Sequence, residues 1–375
     1  MARDEIKDFH DLIAEVQAPG LCGRCGGCVS FCSAGELNAL RFGRDGLPEF
    51  ADEQKCLKCG ICYLICPQVK VLDEELKRKF RWKAPVGACL SLQSARTTKR
   101  KVAAVATDGG VVTSLLLSAL DAKLIDGAVV SRRTGPFSRA PAVATTAQEI
   151  IDAAGSHYDD AAHLGQIGRS YTSFVPTIRE VGKLRKRGLN RVAMVGTPCQ
   201  VYSLRKMQAL KVVPSDAISL VIGLFCMENF SFTRVARRKL GRKLGMNLDN
   251  IVKLNVKDDV VMTTSGGASL HVPFNLMDDV ARPACFACPD FSNELADISC
   301  GGLGSPDGYT TVMVRTSTGE RIYNGAKRKG FIRELELKNQ EQALAHHTTQ
   351  KAKIVSFTHR KQQRAERVGR EVKNA

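Results

Sequence analysis

Two runs of cysteine carry the most specific chemistry in the chain. Cys22, Cys25, Cys28 and Cys32 are separated by two, two and three residues, and Cys56, Cys59, Cys62 and Cys66 repeat that spacing with Pro67 directly behind. Such spacing lets a wrapping backbone aim three thiolates at one cubane cluster, while the fourth, carried away by the next turn, reaches the neighbouring cluster. Two [4Fe–4S] clusters are therefore expected, one on Cys22, Cys25, Cys28 and Cys66, the other on Cys56, Cys59, Cys62 and Cys32. Zinc also uses pairs two residues apart, yet tetrahedral zinc has no need of a duplicated four-cysteine run. Ser33 stands where this pattern usually has proline, which loosens the turn without removing a ligand.

Six of the fourteen cysteines remain: Cys89, Cys199, Cys226, Cys285, Cys288 and Cys300. Cys199 and Cys226 each follow an apolar, strand-like stretch, and Cys285 and Cys288 form a C-x2-C pair. Four thiols at strand ends can converge on a third metal, and four buried free cysteines fit the spacing equally well. Two glycine-rich turns, Thr107-Asp108-Gly109-Gly110 running to Thr113, and Gly196-Thr197-Pro198-Cys199-Gln200, each lead from a strand-like to a helix-like segment. A helix start of that kind offers backbone N–H groups and a positive dipole end to a pyrophosphate. Neither is a Gly-x-Gly-x-x-Gly fingerprint, and either could be no more than a tight turn. Gly155-Ser156-His157-Tyr158 could bring a hydroxyl, an imidazole and an aromatic face to a flavin ring, although an isolated His-Tyr pair is usually structural. Clusters pass single electrons, so coupling them to a hydride carrier requires a flavin as converter.

The elements that must hold these groups follow from the patterning. Residues 1–75 hold the cysteine runs as an approximate internal repeat, opened by a short amphipathic helix with Ile6, Phe9, Ile13 and Val16 at helical spacing. Asp73 to Lys83 reads as a helical linker and 84–85 as a boundary. Beyond it Lys101–Val105 reads as a strand, Val111–Ala122 as a helix, and Gly127–Ser131 as a strand. Arg191–Gly196 is strand-like, Gln200–Leu210 helical and Ile218–Phe225 a buried strand; Thr310–Thr316 is a strand followed by a turn at Gly319-Glu320. Alternation of this kind gives α/β layers over residues 84–175 and 176–335. Residues 336–375 are a basic tail, with eight Lys or Arg against two Glu from Lys351 onward. It is expected to be a solvated, partly helical segment, or else a docking arm for an acidic neighbour.

A formal net charge of +17 implies an acidic partner without naming it. One Trp, no helix-turn-helix pattern and no RNA-binding motif argue against nucleic acid. The longest apolar stretches run to about ten residues, half of what a bilayer span needs. The opening residues lack the pattern of an export signal, which puts the thiols in a reducing cytoplasm.

Several motifs occur together in a fixed order: Asp108-Gly109-Gly110 to Thr113, Leu124 to Ala128, Ala154 to Tyr158, Val195 to Gln200, Ile222 to Cys226, and Cys285-x2-Cys288 with Asp290-Phe291 and Glu294 to Ile298. With Gly304 to Gly308 and the strand after it, they resemble the coenzyme F420 hydrogenase/dehydrogenase beta-subunit family across residues 84 to 335. The resemblance implies an α/β flavoprotein core behind an N-terminal bacterial-ferredoxin-like module with two [4Fe–4S] clusters. It also implies FAD held by the three loops, a third [4Fe–4S] cluster on Cys199, Cys226, Cys285 and Cys288, and hydride exchange between the flavin and the deazaflavin coenzyme F420, with no side chain needed as acid or base. Cys89 and Cys300 stay unassigned.

Within the family, a ferredoxin module fused ahead of the flavin domain resembles the F420H2 dehydrogenase input protein, the F subunit of archaeal proton-pumping complexes related to respiratory complex I. This implies oxidation of reduced F420 and delivery of electrons to other subunits of a membrane-bound complex reducing methanophenazine or quinone, from a position on the membrane's cytoplasmic face. Service to a hydrogenase, formate dehydrogenase, sulfite reductase or heterodisulfide reductase uses the same chemistry, and a ferredoxin-like relay without an active site is the alternative of another kind. Arg132, Arg133 and Arg139 are candidates for meeting the phosphate and polyglutamate tail of F420, or form a solvated charged loop.

Overall fold

The computed structural model describes residues 6–34, 37–43, 45–135, 138–155, 170–172, 177–212 and 214–374. The N-terminal module contains α1 (Phe9–Leu12), α2 (Gly27–Ala34), β1 (Leu40–Phe42), β2 (Pro48–Phe50), α3 (Ile61–Leu64) and α4 (Asp73–Lys79). Next come β3 (Ser91–Thr97), α5 (Arg100–Ala103), α6 (Val111–Asp121), β4 (Gly127–Gly135), β5 (Ser138–Ala144), α7 (Ala147–Asp152) and β6 (Ser170–Thr172). They are followed by β7 (Val192–Gly196), α8 (Pro198–Ala209), β8 (Ile218–Leu224), β9 (Ser231–Thr233) and α9 (Arg234–Leu244). The remainder is β10 (Ile251–Val256), β11 (Val260–Thr264), β12 (Ser269–Val272), α10 (Pro283–Phe286), β13 (Ile298–Gly301), β14 (Thr310–Val314), α11 (Ser317–Arg328), β15 (Ile332–Glu334) and α12 (Gln340–Asn374).

Among the described residues the main sheet has eight strands in the order β15-β3-β14-β13-β8-β7-β4-β5, so it draws on both α/β regions expected from the sequence. β4, β7, β8 and β13 run parallel, while β14 is antiparallel to both β13 and β3. The carboxyl ends of β3, β13, β8, β7 and β4 therefore share one edge, the edge where open α/β sheets place ligands. Alternate residues face opposite sides, as a pleated strand requires. Ala128, Val130, Ala193, Leu220 and Ile222 pack with α6, α7 and α11. Val129, Val192, Met194 and Val221 pack with α8, with Leu76 of α4 and with Ile65 of the cysteine module. A third apolar cluster joins Leu92 and Met313 of the sheet to the antiparallel β10-β11-β12 sheet and to Ile354 of α12.

Several expected elements differ. The stretch expected as a strand at Lys101–Val105 contains the helical turn α5, and the strand is β3, paired with both β14 and β15. Small apolar residues suit either conformation, and β3 hides its identity because Ser94 is a buried polar residue, accepting a hydrogen bond from Gln350 of α12. Gly319-Glu320 lies inside α11, whose cap is Thr316; a Cβ at Gly319 would stand 2.1 Å from the Asp297 carbonyl oxygen, so the glycine permits close packing, not a turn. At the N-terminus Phe9, Leu12 and Val16 are buried while Ile6 and Ile13 are exposed: Ile6 lies ahead of the Asp8 cap that starts the helix at Phe9, and Ile13–Gln17 continue as a π-helical turn with a different period. The basic tail is α12, 35 residues long and buried along one face.

Candidate functional site

Turns and short helices deliver the twelve expected cluster cysteines, and the structure gathers them into three neighbourhoods. All fourteen cysteines are free. The Cys25 thiol is pushed up to about 12 by burial and then by Cys66 and Cys22, and Cys28 is raised by burial and then by Cys25, Cys22 and Cys66. Cys32 is pushed up to about 11 by burial, then by Cys56 and Cys59, and burial followed by Cys32, Cys59 and Cys56 raises Cys62. Cys226 is raised by burial and, against the nearby Lys361, by Cys285, Cys199 and Cys288. The neighbours thus sort as Cys22, Cys25, Cys28 and Cys66; as Cys32, Cys56, Cys59 and Cys62; and as Cys199, Cys226, Cys285 and Cys288.

The three groups also touch one another. Burial and then Cys25 raise the Cys199 thiol, and Cys62 is among the charges felt by Cys28. A Cβ added at Gly23 would lie 3.9 Å from the Cβ of Cys199, in ordinary contact. Arg282, 7% exposed, lies among Cys285, Cys199 and Cys22, between the third group and the first. Cys59, at the far end, is exposed next to Leu57.

A small cavity opens among Cys22, Cys25, Cys28 and Cys66, with Cys62 and Cys199 also on its wall, and a second among Cys32, Cys56, Cys59 and Cys62. Four soft thiols around each space fit an iron–sulfur cluster, whose positive iron stabilises thiolates that would otherwise repel one another in a buried site. Among the described residues no three His, Cys, Asp or Glu stand close enough together to hold one metal ion between them.

Around the third group the fold supplies donors that no local sequence feature signals. Asn229 donates its backbone N–H to Cys285 Sγ at 3.3 Å and its Nδ2 to Cys226 Sγ at 3.5 Å. Thr197 Oγ1 lies 3.4 Å from Cys199 Sγ. Lys361 Nζ, from α12, donates to the carbonyls of Cys226 and Asp290, each at 2.7 Å. Arg364 donates to Glu228 Oε1 at 2.7 Å, in a buried pair beside the same loops.

The two glycine-rich turns behave differently. Gly110 has φ of +69° and starts α6, which has no side-chain cap. Gly109 is wedged so that a Cβ would meet the Ala95 carbonyl oxygen at 2.5 Å and the Thr310 nitrogen at 2.6 Å. The start of α6 is thus fixed at the carboxyl edge of β3 with its backbone donors uncovered by any cap, a donor set suited to a pyrophosphate. Asp108 beside it accepts from Asn255 Nδ2 at 2.9 Å and faces Lys257 at 3.8 Å, tying the turn to β10, and Thr113 is buried. At the second turn Gln200 Oε1 accepts from the Thr197 N–H at 3.0 Å, Pro198 fills the first helical position, and Gln200 is buried. That turn caps itself, and what it presents is Cys199.

Gly155 closes the segment after α7, while Ser156, His157 and Tyr158 lie outside the described residues. Arg132 is exposed on β4, in register opposite Ala140, and Arg133 pairs with Arg139 across the same hairpin. Cys300 sits in β13 in the apolar core, where burial pushes its thiol up to about 12. Cys89 is exposed. Ser33 lies inside α2 and donates to the Val29 carbonyl at 2.6 Å, a bond within the helix.

The family described as coenzyme F420 hydrogenase/dehydrogenase, C terminus of the beta subunit, matches residues 189–340, and its N-terminal counterpart matches residues 92–167. The chain is 32% identical over 252 residues to the beta subunit of coenzyme F420 hydrogenase from Methanothermobacter thermautotrophicus, covering 66% of this chain and 84% of that protein. It is 26% identical to the F subunit of F420H2 dehydrogenase from Methanosarcina mazei over 321 residues, 83% of this chain and 84% of that one, a span that takes in part of the cysteine module. A chain of the xenon-derivatised F420-reducing [NiFe] hydrogenase complex from Methanosarcina barkeri superposes with a TM-score of 0.63 at 26% identity, covering 77% of this chain and 94% of that chain. Among the described residues no helix is long and apolar enough to cross a membrane. Matched in both its halves, and covering most of a relative 32% identical to it, the chain belongs to the coenzyme F420 hydrogenase/dehydrogenase beta-subunit family.

Proposed function

We propose that this chain oxidises reduced coenzyme F420 at a bound FAD and passes the electrons singly through three [4Fe–4S] clusters to partner subunits of a membrane-associated respiratory complex that reduces methanophenazine or a quinone. The observation that carries the reading is the adjacency of Cys25 and Cys199, which links the cysteine module to the sheet edge where the flavin would lie. Bound FAD supplies the exchange of a hydride for two single electrons.

The chain's own residues do the rest. The start of α6 and the Gly109-Gly110 turn give N–H donors to a pyrophosphate, and Ser156, His157 and Tyr158 are assigned to the flavin ring. Cys199, Cys226, Cys285 and Cys288 hold the cluster nearest the flavin, and the N–H donors of Asn229 tune it through two of its sulfurs. Arg132, Arg133 and Arg139 are assigned to the anionic tail of the coenzyme. The likeness to the F subunit of F420H2 dehydrogenase favours a role in oxidation with electrons leaving through the cysteine module.

The test is viologen reduction by the anaerobically purified chain. Turnover with reduced F420 but not with NADH or NADPH, abolished when FAD is stripped and regained on its return, is the expected result. Turnover with NADH alone overturns the donor assignment, and a flavin-free protein inactive with every donor leaves only an electron relay.

A further inference from the structure

Helix α12 begins at Gln340, where the family match ends, and runs 35 residues to Asn374. Its charge leads one to expect a solvated face, yet Lys361 is only 1% exposed. Its Nζ donates to the carbonyl oxygens of Cys226 and Asp290, each at 2.7 Å. These two residues belong to the loops that carry the third cysteine group: Cys226 follows β8, and Asp290 lies two residues after Cys288. Both hydrogen-bonded partners are neutral carbonyls, and the ammonium's charge is felt by Cys288, Cys226 and Cys285 and then by the buried Asp290 carboxylate. One turn further along, Arg364 is neutralised by Glu228 at 2.7 Å and donates to the carbonyls of Met227 and Cys285 at 3.3 and 3.4 Å.

Burying a lysine is costly unless something nearby rewards the charge. Two carbonyl dipoles reward it in part. A cluster held by four thiolates carries net negative charge and gains one more on reduction, and a fixed positive charge in a low-dielectric site favours the more negative state. Removing the ammonium therefore makes reduction harder.

We propose that Lys361 is a positioning residue of the third cluster, contributed by a helix beyond the family match, and that its charge raises the cluster's reduction potential. This rests on the third-cluster reading and on nothing about coenzyme F420.

The test is an EPR-monitored redox titration of the full chain, purified anaerobically with its clusters, alongside iron and sulfide analysis. K361M should shift the third cluster's reduction equilibrium at least tenfold toward the oxidised state, equivalent to about 59 mV for one electron. The other two signals should hold their potentials, and K361R should stay close to the parent. An unmoved potential in a K361M protein that keeps its cluster overturns the proposal, as does an equal shift in K361R. If K361M cannot hold the cluster, K361Q, which keeps a donor without the charge, is titrated in its place. Loss in both neutral variants overturns tuning and assigns Lys361 to cluster assembly alone. A parent protein with iron for only two clusters and no third signal overturns the site itself, an outcome distinct from an unmoved potential.

Discussion

Glu294 shows how far a single side chain can depart from its sequence context. It accepts a hydrogen bond from the Trp82 indole N–H, which pins the linker after α4 to the core, and burial followed by Asp290 pushes its carboxyl up to about 8. The folded value lies above the ordinary 4.5, so between those values the folded chain holds a proton that the unfolded chain has released. Stability contributed by this group is thus fully present below about pH 4.5 and declines as pH rises toward 8. Glu294→Gln keeps an acceptor for the indole and removes the titration. Its melting temperature should match the parent near pH 5 and exceed it by a few degrees near pH 8, since about 1 kcal/mol moves the midpoint by roughly 1–1.5 °C in a chain of this size. Parallel melting curves across that range in both proteins would sink the assignment. Residues of this kind, with Asn229, Arg282 and Lys361, are invisible in the sequence because nothing local marks them. Lys361 reaches Cys226 across 135 positions, and its own neighbourhood reads as a charged surface. The cysteines are legible because cluster ligation imposes spacing within a run.

Among elements, the seam between α2 and α8 decides how the cysteine module meets the sheet. Gly27 of α2 faces Ser203 of α8 so closely that a Cβ would stand 2.0 Å from the Ser203 hydroxyl, and Ser30 Oγ donates to the Ile178 carbonyl at 3.0 Å. Lys206, fully buried on α8, donates to the Cys66 carbonyl at 3.0 Å and to that of Val69, and lies 3.5 Å from Asp73. Alanine is the better helix former by up to about 1 kcal/mol, but overpacking typically costs about 1–3 kcal/mol, and a 2.0 Å approach is far inside contact distance. Gly27→Ala should therefore destabilise the chain by about 1–2 kcal/mol, and Ser203→Ala in the same chain should restore part of it. Additive effects in the double variant, measured by thermal unfolding, would show that the two residues do not meet. Lys206→Met leaves two buried carbonyls without their donor and should cost about 2–4 kcal/mol by the same measurement. Strands β4, β7, β8 and β14 and helix α6 are readable because their apolar residues match their burial. β3 escapes that pattern because its buried Ser94 bonds to α12, and the start of α11 resembles a turn because its glycine is there for close packing.

At the level of the molecule, contact between groups fixes an order. The third group meets the first through Cys25 and Cys199, the first meets the second through Cys28 and Cys62, and the second lies toward solvent at Cys59. Nothing in the sequence states that order: the runs give spacing, and only the docking of α2 on α8 decides which cysteine group faces the sheet. A linear relay has a consequence that a branched one lacks. On the proposed relay, a Cys25→Ala, Cys28→Ala variant loses the first cluster, and electrons entering from reduced F420 should reduce the third cluster while the second stays oxidised on the timescale of turnover. Dithionite, which reaches the second cluster from solvent, should still reduce it and so prove it intact. A Cys56→Ala, Cys59→Ala variant should behave oppositely, with the third and first clusters reduced by F420 and transfer to a protein acceptor too large to enter the fold reduced at least tenfold. Freeze-quenched EPR on the two variants separates the cases. Rapid reduction of the second cluster in the absence of the first would mean that electrons reach it directly from the flavin edge, and the order drawn from Cys25, Cys199, Cys28 and Cys62 would have to be abandoned.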